Sequence, residues 1–387
     1  MKYPTFDFES YIQGYSSPTL LRRLLHIANS PPPPSETKEV ENSTDKPTTD
    51  KPTTDKPANP PIPDDIRRAA HNLALSTAKS TGNVVVFKKL VPEASRTQDD
   101  NNWLTQQSQL NASAIQELQQ RLNTSKSQLN KTATLENYRG LGEELRRGGK
   151  DTDALRELGR AQAFCTNQEQ TFALCYTLIT LSLSSSTFST ARSQISKSRS
   201  TPSSTPLSLL CTLGGGVADL IDGKWSSAFD TFTSTPGVST HSELGKLTTA
   251  SDVALYAAIC GIAGGVGRKE IKDRVTGERW REWGEGDTEG RGMIDCWCKG
   301  EYGGVMETWD RLQTRILCDV YLSPHYHTLT TLLRQRCLTQ YTLPYSTCRL
   351  ESAARAVGVE REEVEGIVEE LVKKGKIKGK RPAEPQT

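Results

Sequence analysis

Apolar residues recur every three or four positions along most of the chain, which is the spacing of one face of an α-helix. The pattern keeps this spacing from 103 to 148, which predicts one long helix with a bend near Asn130. A β-branched run at 84–90 leaves its type open. The charged, glycine-rich stretch 268–292 is predicted to be an exposed helix and a loop insertion. The pattern as a whole predicts an all-helical protein.

A helix–turn–helix pattern repeats in the middle of the chain. Each copy has a turn of small residues, then a second helix that opens with a large apolar side chain followed by a smaller one. The large side chain would wedge between two antiparallel helices, and the smaller one would let them approach closely. The copies are 141–158, 181–195, 215–232 and 294–312. Such pairs are typical of degenerate tetratricopeptide-like (TPR-like) repeats, and their irregular spacing predicts a bent solenoid.

The first thirty residues form a separate unit with one strongly amphipathic helix. Its apolar stripe consists of Leu20, Leu21, Leu24, Leu25 and Ile27. The polar residues Arg22, Arg23 and His26 are assigned to the helix surface. A stripe this strong on so short a helix must pack against something. The pattern leaves open whether that is another part of this chain or a partner protein.

Residues 31–63 contain four consecutive prolines and the repeat STDKPTTDKPTTDKP. Such a stretch cannot bury enough area to offset chain entropy, and its prolines favour extended conformers. It is predicted to be a linker with no chemistry of its own.

Residues 346–377 have the pattern of a helix-turn-helix, with Gly358 between two short helices. The exposed face of the second helix is acidic. It carries Glu360, Glu362, Glu363, Glu365, Glu369 and Glu370 against a lone Arg361 before its last turn. A helix that enters the DNA major groove is normally basic, because phosphate neutralisation supplies most of the affinity. We therefore interpret this unit as a protein-binding one.

Composition narrows the class of protein. The chain has 387 residues, a formal net charge of +2 and 35% hydrophobic residues. Its overall charge therefore does not favour binding to nucleic acid or membrane. No apolar run approaches the roughly 18–20 residues of a membrane span, and the N-terminus lacks a secretory signal. Most of the nine cysteines fall in apolar helical patterns, as free thiols do: Cys165, Cys175, Cys211, Cys260, Cys318 and Cys337. A soluble intracellular protein is expected.

No pattern of catalytic or ligand-binding residues stands out. The glycines of 261–269 lack both the Ser or Thr and the preceding strand of a phosphate loop. His325 and His327 have no third ligand, and Cys296 and Cys298 have no second pair. There is no G-x-S-x-G nucleophile elbow. We predict no enzyme activity, no cofactor and no metal.

These motifs, in this order, resemble the PCI domain family, which is shared by the proteasome lid, the COP9 signalosome and the translation initiation factor three complex. The most specific likeness is the segment 316–359 with the helix that follows it. The opening FDFESYIQGYSSPTLLRRLLHIA (6–28) resembles the signalosome subunit 1 family, as do the central helices and 247–263. The PCI subunit seven of the proteasome lid shares only the central and C-terminal pattern.

The resemblance implies a helical solenoid that ends in a winged-helix PCI domain and acts as a non-catalytic scaffold. In the family, winged-helix sheets align edge to edge, and the assembled complex removes a ubiquitin-like modifier from cullins with a zinc site on another subunit. The implied partners are other PCI subunits of the signalosome, its metalloprotease subunit and cullin-RING ligases. The implied location is the cytoplasm and nucleus, with no membrane contact.

The protein-contact residues expected from this resemblance form two groups. The N-terminal group is Tyr11, Tyr15, Leu21, Leu24 and Leu25. In the C-terminal group, 340–343 lead into the winged helix and 376–378 begin its β-wing, where an exposed strand edge offers unpaired backbone groups. Its members are Gln340, Tyr341, Thr342, Leu343, Lys376, Ile377 and Lys378.

Two alternatives accompany this prediction. The first, in the same class, is a subunit of the proteasome lid. The second, in another class, is a winged-helix nucleic-acid-binding protein, through the basic residues of 373–385. The family pattern continues after Ile377 through a second wing strand and a long helix, whereas this chain turns to GKRPAEPQT. An incomplete wing and a missing bundle helix are therefore expected.

The predicted division of the chain has six parts. They are an N-terminal helical segment (1–30), the linker (31–63), TPR-like repeats (64–245), a PCI helical subdomain (246–345), the winged helix (346–378) and a basic tail (379–387).

Overall fold

The computed structural model describes residues 6–31, 59–201, 203–238 and 240–377, which form twenty α-helices and no β-strand. The first ten are α1 (Phe8–Ile12), α2 (Ser17–Ala28), α3 (Asp64–Thr81), α4 (Val84–Leu90), α5 (Gln98–Ser127), α6 (Lys131–Arg147), α7 (Asp151–Ala161), α8 (Gln168–Ser184), α9 (Phe188–Arg199) and α10 (Pro206–Ile221). The others are α11 (Trp225–Ser234), α12 (Ala250–Ala263), α13 (Arg268–Val275), α14 (Glu278–Gly284), α15 (Thr288–Lys299), α16 (Tyr302–Arg311), α17 (Gln313–Cys318), α18 (Tyr326–Thr342), α19 (Leu350–Val357) and α20 (Arg361–Lys373). The predicted all-helical class is confirmed.

All four predicted helix pairs are present, as α6 with α7, α8 with α9, α10 with α11, and α15 with α16. Each turn contains one residue in the left-handed region, at Gly149, Ser186, Gly223 and Gly300. The residue after it donates its amide to the carbonyl five positions back, which satisfies the open end of the first helix. Three of the four turns use glycine because it enters this region without a steric penalty.

The glycine run 214–216 lets helix α10 lie very close to three neighbours. A Cβ atom at these three positions would lie 2.7 Å from Ile179 on α8, 2.6 Å from Arg199 on α9 and 2.8 Å from Phe232 on α11. Contacts this short do not occur between real side chains. The packing of α10 therefore requires glycine, which has no side chain, at these three positions.

Two apolar cores run through the described residues. A smaller core lies among α5, α6, α7 and α8. A larger one extends from α2 and α3 through α8 to α12 and on to α20. Helix α8 contributes to both, since it is apolar on every face, and such a helix is stable only when it is surrounded.

The long helix predicted from 103 to 148 is two antiparallel helices, α5 and α6. Leu129 takes a left-handed conformation (φ 54°) and Asn130 caps α6 by accepting the amide of Ala133 at 3.0 Å. The predicted bend is thus a complete reversal. Helical spacing continued across it because both helices place apolar residues on the faces that meet. The open stretch 84–90 is helix α4.

The stretch 268–292 is not an exposed insertion, which corrects the prediction. It forms α13, α14 and the start of α15. Ile271, Trp280 and Trp283 are buried, and the indole Nε1–H of Trp283 donates to the carbonyl of Thr235 at 3.1 Å. The two tryptophans are three residues apart and so share a helix face, a signal that the surrounding charges obscured.

The C-terminal helices α19 and α20 pack against each other and against α18. No strand begins at Lys376 or Ile377, so this part of the β-wing prediction is wrong. The backbone amides of Lys376 and Ile377 both donate to the carbonyl of Leu371 at the end of α20, at 2.9 and 3.4 Å. They are therefore not free for the hydrogen bonds of a β-strand. Lys378 and the basic tail 379–387 lie outside the described residues, as does most of the predicted linker.

The predicted linker ends earlier than its composition suggests. Ile62 is buried in the larger core, so packed chain begins before Asp64. Among the helices of the described residues, none combines the length and apolar character that crossing a bilayer requires.

The close packing of α6 on α7 can be tested with two glycines. Gly142→Ala should lower the free energy of unfolding by about 1–3 kcal/mol, because its Cβ would lie 2.5 Å from Leu158. Gly159→Ala, on α7 with nothing within 4 Å, is the control and should raise it by about 1 kcal/mol through helix propensity. Urea denaturation measures both. Equal effects of the two substitutions would contradict this explanation.

Candidate functional site

Arg23 is the main departure from the sequence pattern. That pattern places it on the surface of α2, but the side chain is 1% exposed. Its guanidinium lies between two carboxylates, with Nη2 3.2 Å from Asp252 Oδ2 and Nη1 2.7 Å from Asp319 Oδ2. Helix α2 is covered on this side as well, since it also packs near 244–246 and against α17. The helix therefore has no solvent face at Arg23.

Tyrosine side chains surround the guanidinium. Its Nη1 donates to Tyr11 Oη at 2.6 Å and its Nη2 to Tyr256 Oη at 3.1 Å. The ring of Tyr15 lies against it, with 4.2 Å from Cζ to the ring centroid, which is cation–π geometry. We call Arg23, Asp252, Asp319, Tyr11, Tyr15 and Tyr256 the Arg23 cluster.

Asp252 stands in the first turn of α12, where it also caps the helix. Thr249 and Asp252 form a capping box, in which the Asp252 carboxylate accepts the amide of Thr249 at 3.3 Å. The same carboxylate accepts the hydroxyls of Tyr15 and of Thr248, the latter at 3.1 Å. Asp252 thus joins the helix cap to the N-terminal segment.

Asp319 lies in the turn after α17. It accepts the hydroxyl of Tyr256 at 2.6 Å and the amides of Tyr321 and Leu322 at 2.8 and 2.9 Å. Each carboxylate therefore has several donors besides Arg23. This matters because a single guanidinium cannot neutralise two carboxylates, and an unpaired buried charge is strongly destabilising.

The pKa shifts follow from this arrangement. Burial alone would raise the pKa of Asp319, but Arg23 and the hydroxyl of Tyr256 hold it below its ordinary value. Burial raises the pKa values of Tyr11, Tyr15 and Tyr256, so their hydroxyls stay protonated and can donate. The cluster therefore combines the ionised carboxylate of Asp319 with neutral hydroxyl donors.

Further contacts of the N-terminal segment flank the cluster. Tyr11 donates to the carbonyl of Cys318 at 3.2 Å, and His26 Nε2 lies 3.1 Å from the carbonyl of Leu317. Burial lowers the pKa of His26, which favours its neutral form. Arg22 donates to Tyr321 Oη at 3.3 Å. The segment is thus fixed to the end of α17 and to the turn that follows it.

The N-terminal group of predicted contact residues lies against this chain's own core. Tyr15, Leu21 and Leu24 are buried, whereas Tyr11 and Leu25 are partly buried. Of the two interpretations of the leucine stripe, packing within the chain accounts for the structure. Contact with a partner through these residues stays a prediction, and for the buried three it would require the segment to move.

The C-terminal group includes a more accessible surface. Gln340, Tyr341 and Thr342 form the end of α18 and are partly buried. Leu343 is 75% exposed and Tyr345, which the prediction did not include, is 55% exposed. The ring of Tyr341 lies 5.4 Å from that of Tyr345. We call Tyr341, Leu343 and Tyr345 the α18 patch.

The acidic face of α20 is partly neutralised by its neighbours. Glu363 pairs with Arg334 of α18, and Glu370 accepts Gln335 Nε2 at 2.9 Å and pairs with Lys374. These carboxylates therefore fix α20 to α18, a role that the sequence pattern did not assign.

The residues weighed as metal ligands have structural partners. His325 Nε2 lies 3.1 Å from the carbonyl of Ile221, and its ring packs edge-on against Trp225 at 5.1 Å. All nine cysteines are free thiols, and only Cys165 of the six expected in the core is partly exposed. Within the described part of the chain, no three His, Cys, Asp or Glu side chains are grouped to hold a metal ion.

Comparison with known proteins gives an independent result. Residues 305–381 match the family model described as PCI domain. The C-terminal part of the chain is therefore similar to a PCI domain. Residues 100–274 match the family model described as 26S proteasome subunit RPN7. The two matches fall on the helical solenoid and on the C-terminal helices, as the resemblance predicted.

Several curated proteins named as subunit 1 or 1b of the COP9 signalosome complex are similar to this chain. The chain is 26% identical over 268 residues to COP9 signalosome complex subunit 1b of Drosophila melanogaster, covering 64% of this chain and 50% of that protein. It is 22% identical over 364 residues to subunit 1 of Emericella nidulans, covering 91% and 66%. For subunit 1 of Arabidopsis thaliana the identity is 25% over 261 residues, covering 66% and 57%. The resemblance to the subunit 1 family is confirmed, and the chain spans about half to two thirds of these relatives.

The Arg23 cluster predicts a pH-dependent contribution of Asp319. Asp319→Asn should lower the free energy of unfolding at pH 7 by about 3 kcal/mol. The folded pKa lies below the unfolded value of about 3.9, so this stability is present above that pH and is lost as the pH falls through the folded pKa. The gap between wild type and variant should therefore narrow below about pH 4.

Urea denaturation between pH 7 and pH 3 measures this gap. Asp153→Asn is the control, because the ion pair of Asp153 with Arg156 (3.0 Å) is solvent-exposed and should contribute under about 0.5 kcal/mol. A gap for Asp319→Asn that stays constant over this range would show that the carboxylate is not held ionised by the cluster.

Proposed function

We propose that this protein is a non-catalytic assembly subunit of the signalosome. The observation that carries the proposal is the match of a PCI domain together with relatives that are each named signalosome subunit 1, one of them aligned over 91% of this chain. A solenoid whose core continues into the C-terminal helices supports it, because such an array presents extended surfaces to partners.

The α18 patch is the surface that we assign to contact with another PCI subunit. Its three side chains combine apolar area with two aromatic rings, and such residues are enriched where binding energy is concentrated. It adjoins α19 and α20 in sequence, within the region matched by the PCI family model.

The proposed role in chemistry is indirect. The complex would remove a ubiquitin-like modifier from cullins through its metalloprotease subunit, and this chain would hold neighbouring subunits in place. Cullin-RING ligases would be the regulated targets, in the cytoplasm and the nucleus. The His325 ring and five of the nine cysteines are packed within the structure, which agrees with a scaffold.

A proteasome-lid subunit is the second candidate. The match of residues 100–274 to the RPN7 family model favours it, because that family is described as a proteasome subunit. The two candidates share the solenoid and the PCI domain and differ in the complex that the chain joins.

Mass spectrometry of proteins that copurify with a tagged copy from its native cell separates the two. Recovery of other PCI subunits together with a metalloprotease subunit and cullins is expected. Recovery of proteasomal ATPases would instead assign the chain to the lid. Recovery of neither set would reject both proposals.

The α18 patch gives a sharper form of this test. The double substitution Leu343→Asp and Tyr345→Asp should reduce recovery of the other PCI subunits by roughly tenfold or more, since loss of an aromatic and an aliphatic contact typically weakens binding by about 2 kcal/mol. Leu110→Asp, at a 54%-exposed position on α5, is the matched control and should leave recovery unchanged. If the wild type, the double variant and Leu110→Asp all recover the other PCI subunits equally, the α18 patch is not part of the interface.

A further inference from the structure

Residues 6–31 contact parts of the chain that are far apart in sequence. The amide of Ser16 donates to the carbonyl of Gly245 at 2.9 Å, and Thr19 Oγ1 donates to the carbonyl of Lys246 at 2.7 Å. Leu24 and Ile27 are fully buried beside α3. Arg23 reaches both α12 and the turn after α17. One short segment thus touches four separate regions.

The receptor for Arg23 is incomplete without it. Asp252 and Asp319 come from regions 67 positions apart in sequence, and one guanidinium lies within hydrogen-bond distance of both. Without that cation, each buried carboxylate keeps only hydroxyl and amide donors. A buried carboxylate that has lost its cation is strongly destabilising, so we expect the start of α12 and the turn at 319–322 to separate.

We propose that residues 6–31 form a clasp, a separable segment that holds α12 and the 319–322 turn together through Arg23. The turn leads directly into α18, and α18 carries α19, α20 and the α18 patch. The clasp therefore sets the position of the C-terminal helices relative to the solenoid. Its action is a property of the chain alone and does not depend on which complex the chain joins.

The geometry also makes the segment separable. Pro31 and Asn59 both line one cavity of about 480 Å³, with Leu25 and Leu317 on its walls. The two points at which the chain leaves and rejoins the described structure are therefore neighbours. A cut between residues 31 and 59 therefore leaves both described ends at the same place on the structure.

The contacts of Arg23 distinguish it from its neighbour. Arg22 has a hydrogen bond to Tyr321 and lies over that ring at 5.3 Å, partly buried. Arg23 carries both buried ion pairs. The two arginines are adjacent on the same helix, so substituting each in turn separates the clasp contact from the general effect of losing a cation on α2.

The test uses the full chain with a protease recognition site placed between residues 40 and 50. The folded protein is cut at that site and passed over a size-exclusion column. The N-terminal fragment of the wild type should elute with the remainder. With Arg23→Met the retained fraction should fall by roughly tenfold or more, because the two carboxylates lose their shared cation. Arg22→Met, the matched control, should retain the fragment.

Two further measurements distinguish loss of the contacts of residues 6–31 from unfolding of the whole chain. Hydrogen exchange of the uncut Arg23→Met protein should be faster in 250–256 and 317–342, with protection of α5 to α7 unchanged, since those helices have their own core. Adding Asp319→Asn to Arg23→Met should restore part of the retained fraction, because it removes the uncompensated carboxylate.

Three results would overturn the proposal. The first is release of the wild-type fragment on cutting. The second is equal release by Arg22→Met and Arg23→Met. The third is faster exchange of Arg23→Met in α5 to α7 to the same degree as in 317–342, because loss of Arg23 would then unfold the whole chain and not release one segment. Copurified partners play no part in this experiment, so its failure leaves the proposed signalosome role untouched.

Discussion

A single buried guanidinium, shared by two carboxylates, is the constraint on which the C-terminal half of this protein depends. Arg23 lies among Asp252, Asp319 and tyrosine hydroxyls, with nearly all of its surface excluded from solvent. A buried ion pair adds little net stability compared with apolar packing, but it is intolerant of misplacement. Its value here is directional, because the guanidinium contacts both carboxylates only when α2, α12 and the turn after α17 lie in this arrangement.

This constraint complements the apolar packing. The leucine side chains of α2 contribute apolar burial, which has no directional preference, whereas the hydrogen bonds of the guanidinium to two carboxylates fix the register of the helix. The α5 to α8 core has no comparable buried ion pair within the described residues and is held by close helix contacts instead, such as that of Gly142 with Leu158. The solenoid and the C-terminal helices are therefore organised by different interactions.

The matches to family models and the Arg23 cluster involve different parts of the chain. The matches cover 100–274 and 305–381, neither of which includes the N-terminal segment. The cluster joins that segment to Asp252 within the first match and to Asp319 within the second. The N-terminal segment thus contacts both matched regions, although it lies before them in the chain.

The sequence alone determined the helical class, the four helix pairs and the resemblance to the subunit 1 family, because each depends on local spacing: apolar periodicity, a turn residue, an aromatic wedge. It misjudged features set by distant neighbours. Trp280 and Trp283 are buried by elements before and after them, and the reversal at Leu129 is hidden by two apolar faces that meet. The sequence did contain an indication of the cluster, because two aspartates each stand alone in an apolar run. They are Asp252 in SDVALYAA and Asp319 in ILCDVYLS. Only the tertiary structure paired them with Arg23, since a charge on a helix surface becomes a core residue when other elements cover it, and periodicity cannot report that.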